Sequence, residues 1–390
     1  MTVAVLTENL RAATVQAMRG VAKRSTLPVC QNILLQTNGA LLELTGTDLE
    51  KAVTVTVGAQ VDGELGVTLP GKLFADFVKK LPDGKLLIEQ VDPAEVRFTY
   101  NGSVVSMRGT DVGEFPPIPK VDGDPFSCDA QEFKAAVQRV LFAVATDDSR
   151  PVLGGMKFDV TPGGLTLAGA DGFRLAVDTL KVEGAHEGCE LLKAGLIVPG
   201  ATLSALVALI GKQTGPVVCQ KSEAKPQATF HFGRVHVTTQ LVDGTFPDYP
   251  KLIPAGGGIR MAFEVGAMKA ACDSAAAYAR EDSGIVRLQA QDGAVKVTAL
   301  AEEMSSYSET VPALVDGPVQ DARIAFNATY LGDLWQAMPK GVAVLDMTTP
   351  SGPGLFWFAE RPQYRYVLMP MFVQWDDVKP QAAAAQAAGG

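Results

Sequence analysis

Apolar positions along the chain fall into helical and strand-like periods, and the same succession of periods recurs. Leu6, Leu10, Ala13, Ala17 and Val21 share one face of a helix, as do Phe133, Val137, Val140 and Val144. Asp129, with Glu132 three residues on, is placed to cap the second of these helices. A turn and a strand follow each, through Leu27-Pro28 to Ile33-Leu34-Leu35 and through Arg150-Pro151 to Met156-Lys157-Phe158. A third copy starts at Phe263 and Met268 and reaches a strand at Ile285-Val286-Arg287-Leu288.

Each copy then carries a second helix-like stretch, at residues 69–78, 198–207 and 326–335. Each stretch stops at a breaker, Pro82-Asp83-Gly84, Gly215-Pro216 or Pro339-Lys340-Gly341, and a β-rich run follows from Leu86, Val217 or Val342. Pro28 and Pro151, like Pro70 and Pro199, repeat at offsets of roughly 125 residues, an ordinary domain size. Gly113-Glu114-Phe115-Pro116 is echoed by Gly244-Thr245-Phe246-Pro247. The pattern predicts three similar domains over residues 1–122, 123–254 and 255–375, with a Gly-rich linker at 254–258. The Ala/Gln/Gly tail 376–390 reads as disordered.

The composition, 47% hydrophobic and 20% charged over 390 residues, is that of a globular chain. No apolar run is long enough to span a bilayer, and the N-terminus lacks a signal-peptide pattern, so the expectation is a soluble, cytoplasmic protein without membrane contact. The cysteines, Cys30, Cys128, Cys189, Cys219 and Cys272, are scattered and read as reduced, buried thiols. His231 and His236 lie at an odd offset in one strand-like run, which predicts opposite faces and no shared ion. The formal charge of -9 argues against nucleic acid. However, the Debye length is about 8 Å at physiological ionic strength, so a duplex responds to the face nearest to it.

Little in the chain suggests catalysis. Gly66 to Leu73 approaches a phosphate-binding loop, but Leu73 stands where the motif needs Ser or Thr. With three histidines and no paired-carboxylate motif, no acid–base constellation emerges, and no metal or other cofactor is expected. Asp171-Gly172, between strand-like runs, reads as a turn.

Six stretches taken together resemble the β sliding clamp family of bacterial DNA polymerase III. They are Arg24-Ser-Thr-Leu27-Pro28, Arg150-Pro-Val-Leu153-Gly-Gly-Met156, Asp171-Gly-Phe-Arg174-Leu-Ala176, Phe246-Pro-Asp-Tyr249, Phe326-Asn-Ala-Thr-Tyr330-Leu331 and Tyr366-Val-Leu-Met-Pro-Met371. The resemblance covers residues 1 to about 373. It implies an α+β DNA clamp fold of three similar domains, each of two helix–strand half-units, with helices lining a ring and β-sheets outside. Two chains would meet head to tail as a homodimer around sequence-independent duplex DNA. The expected partners are the replicative DNA polymerase, the clamp loader and repair proteins carrying clamp-binding peptides, on the nucleoid.

On that resemblance the cations expected to face DNA are Arg11, Arg19, Lys23, Arg24, Lys72, Lys79, Lys80, Lys134, Arg139, Arg150, Lys212, Lys269 and Lys340. Ordinary solvated helix faces would carry the same pattern. The partner-peptide pocket would comprise Leu153, Gly172, Arg174, Leu175, Pro247, Leu252, Asn327, Tyr330, Val367, Met369, Pro370 and Met371. For Leu153, Leu175 and Val367 plain core packing is the alternative. Val105 and Met107 would meet Ala277 and Tyr278 of the second chain. The sequence departs from the family pattern at Ala170, Lys251, Ser283 and Phe372, and it continues past Phe372 where family members commonly end. A clamp-fold scaffold that binds proteins without encircling DNA remains the other reading, and an enzyme with an unrecognised site is a third.

Overall fold

The computed structural model describes residues 1–119, 121, 123–147, 149–161, 164–183, 195–222, 225–279, 284–301, 305–318 and 322–375. The tail 376–390, Cys189 and Ser283 lie outside these residues. The chain forms two compact units: Met1–Asp171 with Val177–Pro247, and Asp248–Gly390 with Gly172–Ala176.

Among the described residues the first unit holds four helices: α1 (Thr7–Ala17), α2 (Gly71–Lys80), α3 (Ala130–Leu141) and α4 (Gly200–Ile210). The second holds α5 (Val265–Ala279) and α6 (Ala328–Ala337). Each repeat thus supplies two helices, but their limits differ from the periodicity. α1 and α3 end one turn early, before Val21 and Val144, where the backbone tightens to three-residue bonds such as Gly20 N–H to Ala17 O (2.9 Å) and Ala143 N–H to Val140 O (3.0 Å). The exit after α1 is enforced by packing. A Cβ on Gly20 would sit 2.3 Å from the Gly46 carbonyl oxygen, and one on Gly46 would sit 2.5 Å from that of Ala17. The second helices begin late: Leu69-Pro70, Val198-Pro199 and Phe326-Asn327 finish the strands Gly66–Pro70, Leu196–Pro199 and Arg323–Asn327. Strand Gly66–Pro70 runs straight into α2, so no phosphate-cradling loop separates them. At α3 the predicted cap is present, with Asp129 Oδ1 accepting from the Gln131 and Glu132 amides, both at 2.9 Å.

In the first unit a five-stranded sheet runs in the order Gln60–Asp62, Thr2–Leu6, Lys85–Asp92, Glu95–Tyr100, Ser103–Arg108. A nine-stranded sheet carries strands of the first two repeats side by side, because Lys51–Gly58 pairs antiparallel with Val235–Gln240 in the register Val53↔Val237. Val53, Val55, Val57, Val235 and Val237 point inward from both strands, and this alternation holds the register.

This sheet corrects the histidine expectation. Gly233, with φ +57°, and Arg234 turn the chain between Gln227–Phe232 and Val235–Gln240. His231 and His236 are therefore cross-strand partners on one face, their rings stacked 4.1 Å apart at 14°. Parallel rings aim their nitrogen lone pairs side by side, so the stack does not converge on one ion. Partial burial, and then the charge on His231, hold His236 below the ordinary imidazole range, against a smaller opposing pull from Glu43. The folded state therefore binds this proton more weakly than the unfolded chain does. The sheet keeps its full stability above the unperturbed value of about 6.5 and loses part of it as pH falls from there towards the folded value. Urea unfolding between pH 7.5 and 5 should show that modest slope, and His236→Gln should flatten it.

In the second unit the strands run Arg361–Leu368, Gly354–Phe358, Val342–Met347, Ile259–Glu264, Ser305–Asp316, Ala294–Ala301, Ile285–Gln291, Arg323–Asn327. Its core centres on the fully buried Trp335 of α6, set edge-on to Phe263 and Phe356 at 6.1 and 5.8 Å. Cys30, Cys128, Cys219 and Cys272 are buried free thiols. Burial pushes Cys128 and Cys272 up to about 12, which keeps both protonated and unreactive at neutral pH.

Candidate nucleic-acid and peptide interfaces

The first unit opens a cleft of about 960 Å³ between the end of α1, the start of α2 and α4. Arg19 and Lys23 follow α1, Lys72 sits in the first turn of α2, Lys51 comes from the sheet, and no lining residue is acidic among the described residues. In a chain of net charge -9, this concentrates positive potential where the helices begin and end. Lys51, which sequence reading passed over because it sits in a strand, pairs with Asp48. The side chains of Arg19, Lys23 and Lys72 are exposed, and so are Arg24, Lys79, Lys80, Lys212 and Lys340. Lys79 and Lys80 close the last turn of α2, where the helix dipole favours cations.

The remaining predicted cations are already engaged. Arg139 is turned into the fold, its Nε 2.6 Å from Oδ2 of the fully buried Asp178, so this residue is structural. The cause is local: α3 packs on the strand Gly164–Ala170, and Arg139 lies on the flank that faces the sheet. Arg11 spans α1 to the Leu81 carbonyl (2.7 Å) and Asp83 (3.0 Å). Lys134 donates to the Gly211 carbonyl at the end of α4 (2.6 Å). Lys269 pairs with Asp273 one turn along α5 (2.5 Å). Arg150 is exposed and donates to the Asp171 carbonyl (3.0 Å).

Most of the predicted peptide pocket falls in the second unit. The Arg174 guanidinium lies 4.2 Å from the Tyr330 ring centroid and 2.6 Å from Asp333 Oδ2. Tyr366 donates its hydroxyl to the Tyr330 carbonyl at 3.1 Å. Asn327 is spent on capping α6, its Oδ1 accepting from the amides of Thr329 (2.9 Å) and Tyr330 (3.3 Å). Gly172, with φ +94°, makes the expected turn. The turn delivers the Phe173 carbonyl to the Met369 N–H at 2.9 Å, and the Met371 N–H donates to the Ala325 carbonyl at 2.8 Å. Leu252, Met369 and Met371 are exposed and Pro370 is half-buried, whereas Leu175 and Val367 are core residues. Leu153, buried, and Pro247, exposed, belong to the first unit.

Three residues of this surface fall outside the pocket expected from sequence. Phe173 is 60% exposed and Phe372 92% exposed, and Asp333 orients Arg174. The signals were there to find: an aromatic inside a hairpin turn, an aromatic after Met-Pro-Met, and a carboxylate one helical turn beyond Tyr330.

Among the described residues, the edge strand Ser103–Arg108 pairs on one side only, with Glu95–Tyr100. Along it Met107 is buried and Val105 half-buried, while Val104 is exposed at 58%. Ala277 and Tyr278 are exposed at the end of α5, with the Tyr278 ring 5.4 Å from that of Tyr307. No group of three or more metal-ligating side chains occurs among the described residues, and no helix among them is long and apolar enough to cross a membrane.

The chain is 27% identical over 332 residues to the beta sliding clamp of Staphylococcus aureus, covering 82% of this chain and 86% of the relative. Its fold matches the DNA polymerase III subunit beta of Pseudomonas aeruginosa with a TM-score of 0.88 and 27% identity, over 95% of this chain and all of that one. It also matches a P. aeruginosa sliding clamp solved bound to griselimycin, at TM-score 0.88 and 26% identity, over 96% of this chain and 100% of that one. Family models for the N-terminal, central and C-terminal domains of the DNA polymerase III beta subunit match residues 1–119, 127–248 and 250–372 in turn. With three consecutive domain models of one family spanning it, the chain belongs to the DNA polymerase III beta subunit family.

Proposed function

We propose that this chain works as a sliding clamp, a non-catalytic processivity factor that closes as a ring-shaped homodimer around duplex DNA and tethers the replicative polymerase. The observation that carries the DNA-binding part is the cleft lined by Arg19, Lys23 and Lys72 and by no acidic residue among the described ones, with Lys51 beside them paired to Asp48, on an otherwise acidic protein. Such cations meet phosphates and carry no base information, so the duplex is held without being read and remains free to slide.

The open edges fit dimer closure. Among the described residues, the strand Ser103–Arg108 and the first half of Ser305–Asp316 each leave one side unpaired, and strand addition would satisfy both. The exposed apolar surface of Phe173, Leu252, Met369 and Met371 beside the Arg174–Tyr330 stack suits short peptides with apolar anchors, and methionine packing adapts to several of them. The polymerase, the clamp loader and repair proteins would share that site, in the cytoplasm at the nucleoid.

The test is retention on a circle. Protein placed by its loader on nicked circular plasmid should co-elute with the DNA on gel filtration and should be lost when the plasmid is cut once. Equal loss from circular and linear DNA would instead favour a scaffold that does not encircle the duplex.

A further inference from the structure

The chain continues past Met371 into a short strap whose two ends are fastened to the second unit. At one end, the Met371 N–H donates to Ala325 on the open side of the edge strand Arg323–Asn327. At the other, the Trp375 ring is 5.3 Å from the Arg323 guanidinium and 5.7 Å from that of Arg287. The register Arg287↔Ala325 and Gln289↔Arg323 puts both arginines on one face of adjacent strands, diagonal to each other. Two guanidiniums so placed repel. An indole presents the negative face of its quadrupole to both, so tryptophan relieves the repulsion and is held by it. Between the fastenings the strap holds Phe372 almost wholly in solvent, directly after the exposed Met371.

We propose that Trp375 is a positioning residue for the partner-peptide site: by latching the strap to Arg287 and Arg323, it fixes the apolar rim formed by Met369, Met371 and Phe372. An apolar rim on a loose C-terminus would have to be ordered by each incoming peptide, at a cost in affinity. A latched rim is already in place. The proposal rests on the peptide-site reading above and extends it to residues beyond the segment matched by the family model, which ends at 372.

Griselimycin is the probe, titrated onto the full-length chain and followed by calorimetry, with the melting temperature recorded for each variant. Trp375→Ala should weaken binding about five- to tenfold through lost pre-organisation, with an unchanged melting temperature, and Trp375→Phe should restore most of it. Arg323→Ala should weaken binding similarly, and the Arg323→Ala/Trp375→Ala double variant should lose no more than either alone. Tyr330→Ala tests the site itself. If Tyr330→Ala weakens binding while Trp375→Ala binds as the parent does, the latch is overturned and the peptide site stands. If Trp375→Phe is as weak as Trp375→Ala, ring stacking on the arginines is not the cause and the proposal fails. If the parent does not bind griselimycin, or Tyr330→Ala leaves binding intact, the site reading falls and the latch with it.

Discussion

Arg139→Ala is expected to destabilise the first unit by about 3–5 kcal/mol, the loss typical when one partner of a buried ion pair is removed. Asp178 is fully buried, with Oδ2 on Arg139 Nε at 2.6 Å and Oδ1 accepting from the Thr179 amide at 2.9 Å. Without the guanidinium, the buried carboxylate loses its ion-pair partner while its burial remains. Urea unfolding at pH 7 reads this as a drop in midpoint at unchanged slope. Arg19→Ala, a change at an exposed cation, should stay within about 0.5 kcal/mol. Replacing both partners, as Arg139→Met with Asp178→Leu, should recover much of the loss, because the burial cost of the charges disappears with them. A change under about 1 kcal/mol for Arg139→Ala would return Arg139 to the pool of surface cations available to DNA.

The second large effect concerns DNA. Each cation that neutralises a phosphate steepens the salt dependence of binding by about 0.9 in log–log slope. Replacing Arg19, Lys23 and Lys72 together by alanine should lower that slope by about 2 to 3, and at about 0.1 M salt should weaken duplex binding by roughly two orders of magnitude. The loss should be the same for any duplex sequence, because phosphate contacts position without specifying. Fluorescence anisotropy with a labelled duplex across a salt series measures both quantities. An unchanged slope would show that the cleft faces solvent rather than DNA, and the clamp reading would then rest on family membership alone. Lys51 is left out of this set because its pairing with Asp48 already commits its charge.

Much of the fold was legible because local rules and tertiary structure agree. The apolar faces of α1 and α3, the Asp129 cap, the Asp171-Gly172 turn and the two-helix content of each repeat all depend on neighbours within about four residues, and short-range periodicity reports these well. The helix ends were misplaced because long-range packing set them. Gly20 and Gly46 meet backbone to backbone although 26 positions separate them in the chain, and no local pattern carries that contact. The histidine pair failed for a related reason. A two-residue turn at Gly233-Arg234 was hidden inside a run of strand-forming residues, so one predicted strand proved to be two.

The site divides along the same line. Residue types alone marked which side chains could serve: cations on helices, methionines around Pro370, an arginine and a tyrosine in family-like stretches. Which of those cations are free was a question of distance in space. Arg139 and Arg19 both read as polar-face cations of a helical pattern, yet one lies against Asp178 and the other against solvent. Likewise, nothing in the spacing of Arg174, Asp333, Arg287, Arg323 and Trp375 announces that the first pair forms an ion pair and the last three a stack. Hydrophobic period is a property of a few consecutive residues and survives in the bare sequence. Charge pairing and burial depend on what the folded chain brings to within a few ångströms, and strands far apart in sequence supply those neighbours.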